Sequence, residues 1–209
     1  MRIVQGPRPK GKILPGQLPT YEATGLWCAQ RKFNGHKNTF CVSRDEVHFY
    51  NKGKPFRRYQ IPTFLKDQIL SLKFVQRLRP DEWCWLDSEL LEPRVPNTIV
   101  IYDVLQIAGN YLIGERQEDR LATLGLMLAD SKGIPLCESG VAFQITENVW
   151  LAQTFTSGFV DRYNEFLHLD LIEGLVLRER DARLDNLGHA GYTTESQIRC
   201  RKPAKNYRF

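Results

Sequence analysis

Residues 28–38 read CAQRKFNGHKN. Lys32 stands three residues before Gly35, with Arg31 beside it and Lys37 just beyond the turn. A neutral lysine is a good nucleophile toward carbon or phosphorus, but a free lysine has a pKa of about 10.4 and is almost wholly protonated at neutral pH. Neighbouring cations or desolvation favour the neutral amine. The crowding therefore raises the expectation that Lys32 is held as a nucleophile. Side chains alternate along a strand, so Arg31 faces away from Lys32 and Lys37 becomes the nearer cation. Gly35 lets the backbone approach a ligand closely. Taken alone, KFNG reads as a turn.

Four further stretches carry chemistry. In LDSELL (86–91), Asp87 and Glu89 are two apart and share a strand face. Carboxylates among apolar residues are costly unless paired, metal-bound or bonded to a ligand; the alternative is a solvated strand end. In VIYDVLQIAG (100–109), Tyr102 and Asp103 interrupt an apolar run. Tyr102 offers a flat face on which a base can stack, or it is a core tyrosine with a bonded hydroxyl. In LIEGLVLRE (171–179), Glu173 is an acid inside an apolar strand, followed by glycine. In QIRCRKPAKNYRF (197–209), Arg199 and Arg201 alternate onto one face, and Lys202, Lys205 and Arg208 follow; without a partner these residues are a basic tail.

The elements that must position these residues are strands interleaved with helices. Residues 25–33, 39–43 and 46–50 read as strands, with a hairpin at Arg44-Asp45. Residues 62–77 read as a helix with Phe64, Ile69, Leu72 and Val75 on its apolar face. Residues 83–91 and 98–107 are buried strands joined by a loop with Pro93 and Pro96. Leu121, Leu124 and Leu128 give residues 115–131 a helical stripe. Residues 147–168 read as another helix, and 171–179 and 195–201 as strands. Because the strands come in pairs and do not alternate strictly with helices, the expected class is α+β with antiparallel sheets. The proline- and glycine-rich residues 5–19 predict an irregular lead-in. Within it, GPRPKGK mimics a phosphate-binding loop, but Ile13 stands where the magnesium-binding hydroxyl belongs and no strand precedes it.

Composition bounds the partners. The chain has 209 residues, 42% hydrophobic and 25% charged, with 29 Lys and Arg against 24 acids for a net charge of +5. A mild basic excess fits a phosphate-bearing partner. Five scattered cysteines, without a CxxC pair, argue against a disulfide framework or zinc site, and the four histidines make no ligand-spaced pair. These features point to a reducing, cytoplasmic compartment. No apolar run is long enough to span a membrane, and no signal peptide pattern opens the chain.

In this order, Lys-x-x-Gly, Asp-x-Glu, Tyr-Asp, Glu-Gly and two alternating cations resemble the motif series of the covalent nucleotidyltransferases: ATP-dependent DNA and RNA ligases and capping guanylyltransferases. The likeness runs from about Trp27 to Lys202. GLWCAQRKFNGHKNTFCVS (25–43) and IRCRKPAK (198–205) are most similar to phage-type RNA ligases that seal nicks in duplex RNA, which fits a virus-encoded protein. The resemblance implies a ligase-type nucleotidyltransferase domain over residues 21–209, after a lead-in of residues 1–20, without an OB-fold. It implies that Lys32 attacks the α-phosphate of ATP and carries AMP, and that Glu173 holds Mg2+ or Mn2+. It further implies that Glu89 contacts the ribose, Tyr102 stacks on adenine, and Arg199 and Arg201 contact the α-phosphate. Gln30, Arg31, Gly35, Lys37 and Lys52 complete the nucleotide site. The partners implied are ATP and nucleic-acid ends or nicks, RNA before DNA, with a separate sealing domain or partner protein to complete the reaction. Transfer at phosphorus needs alignment and charge neutralisation, which a metal and two cations supply.

The sequence departs from the family at four places. Asn34 stands where aspartate is common, Lys37 only partly replaces the usual basic residue, and Lys52 stands in for an arginine. Arg199 and Arg201 occupy positions where the family has lysines, and arginine is bulkier and does not give up a proton. The competing readings are an ATP-dependent DNA ligase, a GTP-using capping guanylyltransferase, and a nucleotide- or RNA-binding module that has lost catalysis.

Overall fold

The computed structural model describes residues 3, 5–129, 134–135, 141–185 and 193–203. Strand β1 (Arg8–Ile13) and helix α1 (Leu18–Ala23) lead into β2 (Trp27–Phe33), β3 (His36–Val42), β4 (Val47–Asn51) and the short β5 (Lys54–Pro55). Helices α2 (Thr63–Leu70) and α3 (Lys73–Gln76) precede two central strands of the second sheet, β6 (Cys84–Leu90) and β7 (Ile99–Ile107). After β8 (Asn110–Tyr111) and α4 (Gln117–Ala129) come β9 (Ile134–Pro135), β10 (Ala142–Gln144), β11 (Val149–Ala152) and β12 (Thr154–Phe155). Helix α5 (Phe159–Asn164) and strands β13 (Ile172–Glu179) and β14 (Thr193–Arg201) complete the order.

The strands make two sheets. The first runs β1-β14-β13-β2-β12, and the second runs β5-β4-β3-β6-β7-β11-β10-β9, with β8 on the end of β7. The chain crosses from one sheet to the other at Asn34-Gly35, between β2 and β3. Lys32 and Lys37 therefore sit on different sheets but on the same rim. The outer face of the first sheet packs Ala29, Leu175 and Leu177 against Leu18, Phe159 and Tyr163 of α1 and α5. The outer face of the second sheet packs Phe40, Leu86 and Ile101 against Leu65, Ile69 and Leu124 of α2 and α4. The inner faces meet along β2 and β7: Gln30 donates to the Tyr102 carbonyl at 3.2 Å and the Phe33 N–H donates to the Tyr102 hydroxyl at 3.3 Å. This is the expected α+β architecture. Most ladders are antiparallel, but β1–β14 and β7–β11 are parallel.

Several boundaries differ from the sequence reading. Residues 8–13 are not irregular: they form β1, an edge strand on β14, where prolines are tolerated because one side of the strand needs no ladder bonds. The helix over 62–77 is two helices, broken at extended Leu72. Leu65 and Ile69 face the core while Phe64, roughly 100° round the helix, is 47% exposed. Residues 147–168 are not one helix. Val149–Leu151 pair with Ile99–Ile101, so an apolar run that read as helical is a buried strand, and only Phe159–Asn164 is helical after Gly158 (φ 70°). Cys28, Cys41, Cys84 and Cys200 are free, buried thiols; Cys137 and His189 lie outside the described residues. Among the described residues, no helix is long and apolar enough to cross a membrane.

Candidate active site

Glu173 is the extra residue of a bulge. Ile172 pairs with Phe33 and Gly174 pairs with Lys32, which leaves no partner across the ladder for Glu173. Gly174 takes φ +142°, and a Cβ there would lie 2.0 Å from the Cys200 carbonyl oxygen. Only glycine fits, and its backbone turns the Glu173 carboxylate back over the ladder. Lys32, Gly174 and Arg201 stand in one register row across β2, β13 and β14. Glu173 Oε2 takes both flanking cations, Lys32 Nζ at 2.7 Å and Arg201 Nε at 3.3 Å. The Lys202 N–H donates to the Glu173 carbonyl at 2.9 Å and closes the bulge. Lys205 and Arg208 lie outside the described residues.

Arg31 does not join this cluster. It is 1% exposed on the opposite face, bonded to Glu165 at 3.2 Å and to the Val141 carbonyl, with its guanidinium 4.0 Å from the Phe166 ring centre. Burial lowers its pKa to about 10, against the pull of Glu165. Arg31 is thus a buried cation on the face away from Lys32, and the crowding expected around Lys32 is replaced by its ion pair with Glu173. Gly35 is also explained by packing. A Cβ there would lie 2.3 Å from the Leu90 carbonyl oxygen, so the turn needs glycine to lie against β6. Asn34 closes the same turn by donating to the Asp170 carbonyl at 3.0 Å.

The second sheet supplies the other wall. Lys37 pairs with Glu89, and Thr39 with Asp87, across β3 and β6, and the Lys37 ammonium bonds the Asp87 carboxylate. Burial raises the Glu89 pKa to about 7, although Lys37 and Lys32 both pull it down. The Tyr102 ring lies 5.5 Å from Lys37 Nζ and 5.9 Å from the Arg178 guanidinium, and burial raises its hydroxyl well above the usual value. Asp103 takes no part; it is held by Arg120 of α4 at 2.9 Å in a buried pair. Lys52 sits at the tip of the β4–β5 hairpin with φ +50°, facing a cavity that Gly35 and Lys37 also line.

The structure adds two residues that the sequence reading passed over. Gln30, Val176 and Arg199 form the next register row, and Cys28, Arg178 and Gln197 the one after. Gln30 Oε1, Gln197 Oε1 and two Arg178 nitrogens are buried without a hydrogen-bond partner. Buried polar atoms are nearly always bonded, so these orphans in two adjacent rows, with Gln30 and Arg178 next to Tyr102, fit a polar ligand between the sheets. An arginine inside the apolar run GLVLRE was the available signal for Arg178. For a divalent ion, Glu173 is the carboxylate at hand. No group of three or more His, Cys, Asp or Glu among the described residues could hold a metal. Such a site fits magnesium, which takes one or two carboxylates and draws its remaining ligands from phosphate and water.

Solved structures share this arrangement of strands and helices. Mycobacterial DNA ligase D complexed with ATP and MES matches with a TM-score of 0.61 at 14% identity, over 95% of this chain and 60% of that one. The ligase domain from M. tuberculosis LigD gives 0.56 at 14% identity, over 93% and 58%. Pmar-Lig_Pre gives 0.58 at 11% identity, over 97% and 47%. The chain spans about three fifths of the length of the first two. No protein-family model and no curated protein matches it. These superpositions give the chain the α+β fold of DNA ligase nucleotidyltransferase domains.

Proposed function

We propose that the protein is an ATP-dependent polynucleotide ligase that works through a covalent lysyl-AMP. The observation that carries this reading is the cluster of Lys32, Glu173 and Arg201, one amine and one guanidinium on a single carboxylate oxygen, beside orphaned polar atoms suited to a base. Lys32 Nζ, having released one proton to solvent, bonds to the α-phosphorus as the bond to pyrophosphate breaks, and a second proton then leaves the nitrogen for solvent to give the phosphoramidate N–H. Arg199 and Arg201 neutralise charge on the α-phosphate. A 5′-phosphate oxygen then displaces Lys32, which takes two protons back from solvent to become the ammonium, leaving AMP on the strand end. A 3′-hydroxyl attacks that end, loses its proton and releases AMP. A divalent ion at Glu173 would supply charge neutralisation at the phosphates.

Adenine is the base that suits Gln30. Its Nε2 donates to the Tyr102 carbonyl and to Thr154 Oγ1, which leaves the buried Oε1 as an acceptor. An acceptor welcomes the amino group of adenine and opposes the carbonyl of guanine. Tyr102 stacks on the base, Glu89 meets the ribose, and Lys37 and Lys52 steady the phosphates. RNA is the proposed substrate before DNA, supported by the likeness of residues 25–43 and 198–205 to phage-type RNA ligases. Completion of sealing by a further domain or partner is part of the proposal. Label from the α-phosphate of ATP should move to the protein and then to a 5′-phosphorylated RNA end. Label that reaches the protein but passes only to DNA ends contradicts the RNA assignment. Label that never leaves ATP contradicts the whole reading.

A further inference from the structure

Beyond the nucleophile, the β4–β5 hairpin and the loop after it build a cavity of about 1270 Å³. Its lining carries Arg8, Lys37, Lys52, Lys54, Arg57 and Arg58, with Glu92 as the acid. Small-molecule pockets usually hold about 300–1,000 Å³, so this space exceeds the need of one nucleotide. Lys37 bonds the Asp87 carboxylate, but the other five cations are held apart from counter-charges. None of Arg8, Lys52, Lys54, Arg57 and Arg58 forms an ion pair among the described residues. Elsewhere on the surface Arg79, Arg94, Arg116 and Arg180 all do.

The segment is also anchored. Phe56 donates to the Phe49 carbonyl at 2.9 Å, the Tyr59 hydroxyl donates to Asn97 at 3.0 Å, and both rings pack on the core. Between those two anchors, Arg57 and Arg58 are presented outward and exposed. The β4–β5 turn puts Lys52 at φ +50° and Gly53 at φ +73° in the two loop positions, so a lysine takes a backbone conformation that favours glycine or asparagine. A fixed array of like charges repels itself unless a polyanion neutralises it.

We infer that this cavity is the track for one polynucleotide strand, gripped through its phosphates and leading its end past Gly35 and Lys37 to Lys32. The destination of the strand rests on the lysyl-AMP reading; the grip on the strand does not. Arginine pairs phosphate oxygens in a bidentate manner, and such contacts carry no base sequence, so single-stranded RNA and DNA should be held alike.

The test is binding of a fluorescent, 5′-phosphorylated single-stranded RNA across a salt series, for the wild-type chain and the Arg57→Ala/Arg58→Ala double variant. Intact-mass detection of the AMP adduct runs in parallel, and so does Lys32→Ala. Both arginines are exposed, so the double variant should match the wild type in thermal midpoint. Its affinity should fall ~10- to 30-fold at moderate salt, and the slope of log K against log salt should shrink by about 1.4. AMP loading should persist, since it needs no strand. Unchanged affinity and slope would overturn the inference, and so would loss of AMP loading with RNA binding intact, which would give the cavity to ATP. Weakened binding of duplex alone would overturn the single strand, and polyglutamate that competes as well as RNA at equal charge would overturn the nucleic acid. Absence of any AMP adduct, with RNA binding still weakened by the double variant, would overturn the lysyl-AMP reading and leave the track standing.

Discussion

At the residue scale, the site is a set of charges whose neighbours decide what each can do. Glu89 shows this most directly. Its pKa rises from 4.5 to about 7 because burial outweighs Lys37 and Lys32. Between those values the folded chain keeps a proton that the unfolded chain releases. The stability it contributes is therefore present at low pH and is lost as pH rises through about 7. Glu89→Gln, which cannot ionise, should gain on the wild type by ~3 kcal/mol between about pH 5 and pH 8 in urea unfolding. A gap that does not move with pH would contradict the buried, protonated carboxyl. Gln30 gives a second prediction at this scale. Gln30→Leu removes the acceptor opposite the base, and the preference for ATP over GTP in adduct formation should fall ~10- to 100-fold. An unchanged preference would show that the base is read elsewhere.

At the element scale, the bulge in β13 makes the site. LIEGLVLRE shows an acid interrupting an apolar strand, but not that Glu173 is an unpaired extra residue. That depends on the register with β2, which sequence alone does not supply. Gly174→Ala should cost ~3 kcal/mol or more, because its Cβ would meet the Cys200 carbonyl at 2.0 Å in a backbone region alien to alanine. Gly16→Ala, with nothing within 4 Å of the added carbon, should stay within ~0.5 kcal/mol of the wild type. Equal denaturant midpoints for the two variants would contradict the bulge. Alternation placed Arg31 on the face opposite Lys32, as the register shows, but it could not name what holds Arg31 there. Its partner Glu165 is 134 residues away, a distance that no local pattern spans. The same limit explains Val149–Leu151: an apolar run is helix or strand according to its neighbour, and here the neighbour is Ile99–Ile101.

At the scale of the whole molecule, two sheets and two outer helical layers hold a cleft whose rim is one turn, Asn34-Gly35. The N-terminal residues tie the sheets together. β1 pairs with β14 of the first sheet, while Gly6 lies so close to Asp87 of the second that a Cβ would meet its carboxylate at 2.7 Å. The prolines and glycines of this segment made it read as a loose lead-in, although they serve an edge strand and a close crossing. Removal of residues 1–13 should expose the edge of β14 and lower the unfolding free energy by at least ~2 kcal/mol. An unaltered urea midpoint would show that the sheets are held by β2–β7 contacts alone.

The central claim is that Lys32 carries AMP, and the direct measurement is intact mass after incubation with ATP and magnesium, followed by peptide mapping. The account predicts a gain of one AMP on the peptide containing Lys32, reversed by pyrophosphate and absent in Lys32→Ala. A folded protein that binds ATP without a mass gain, or one that carries AMP on another residue, would contradict it.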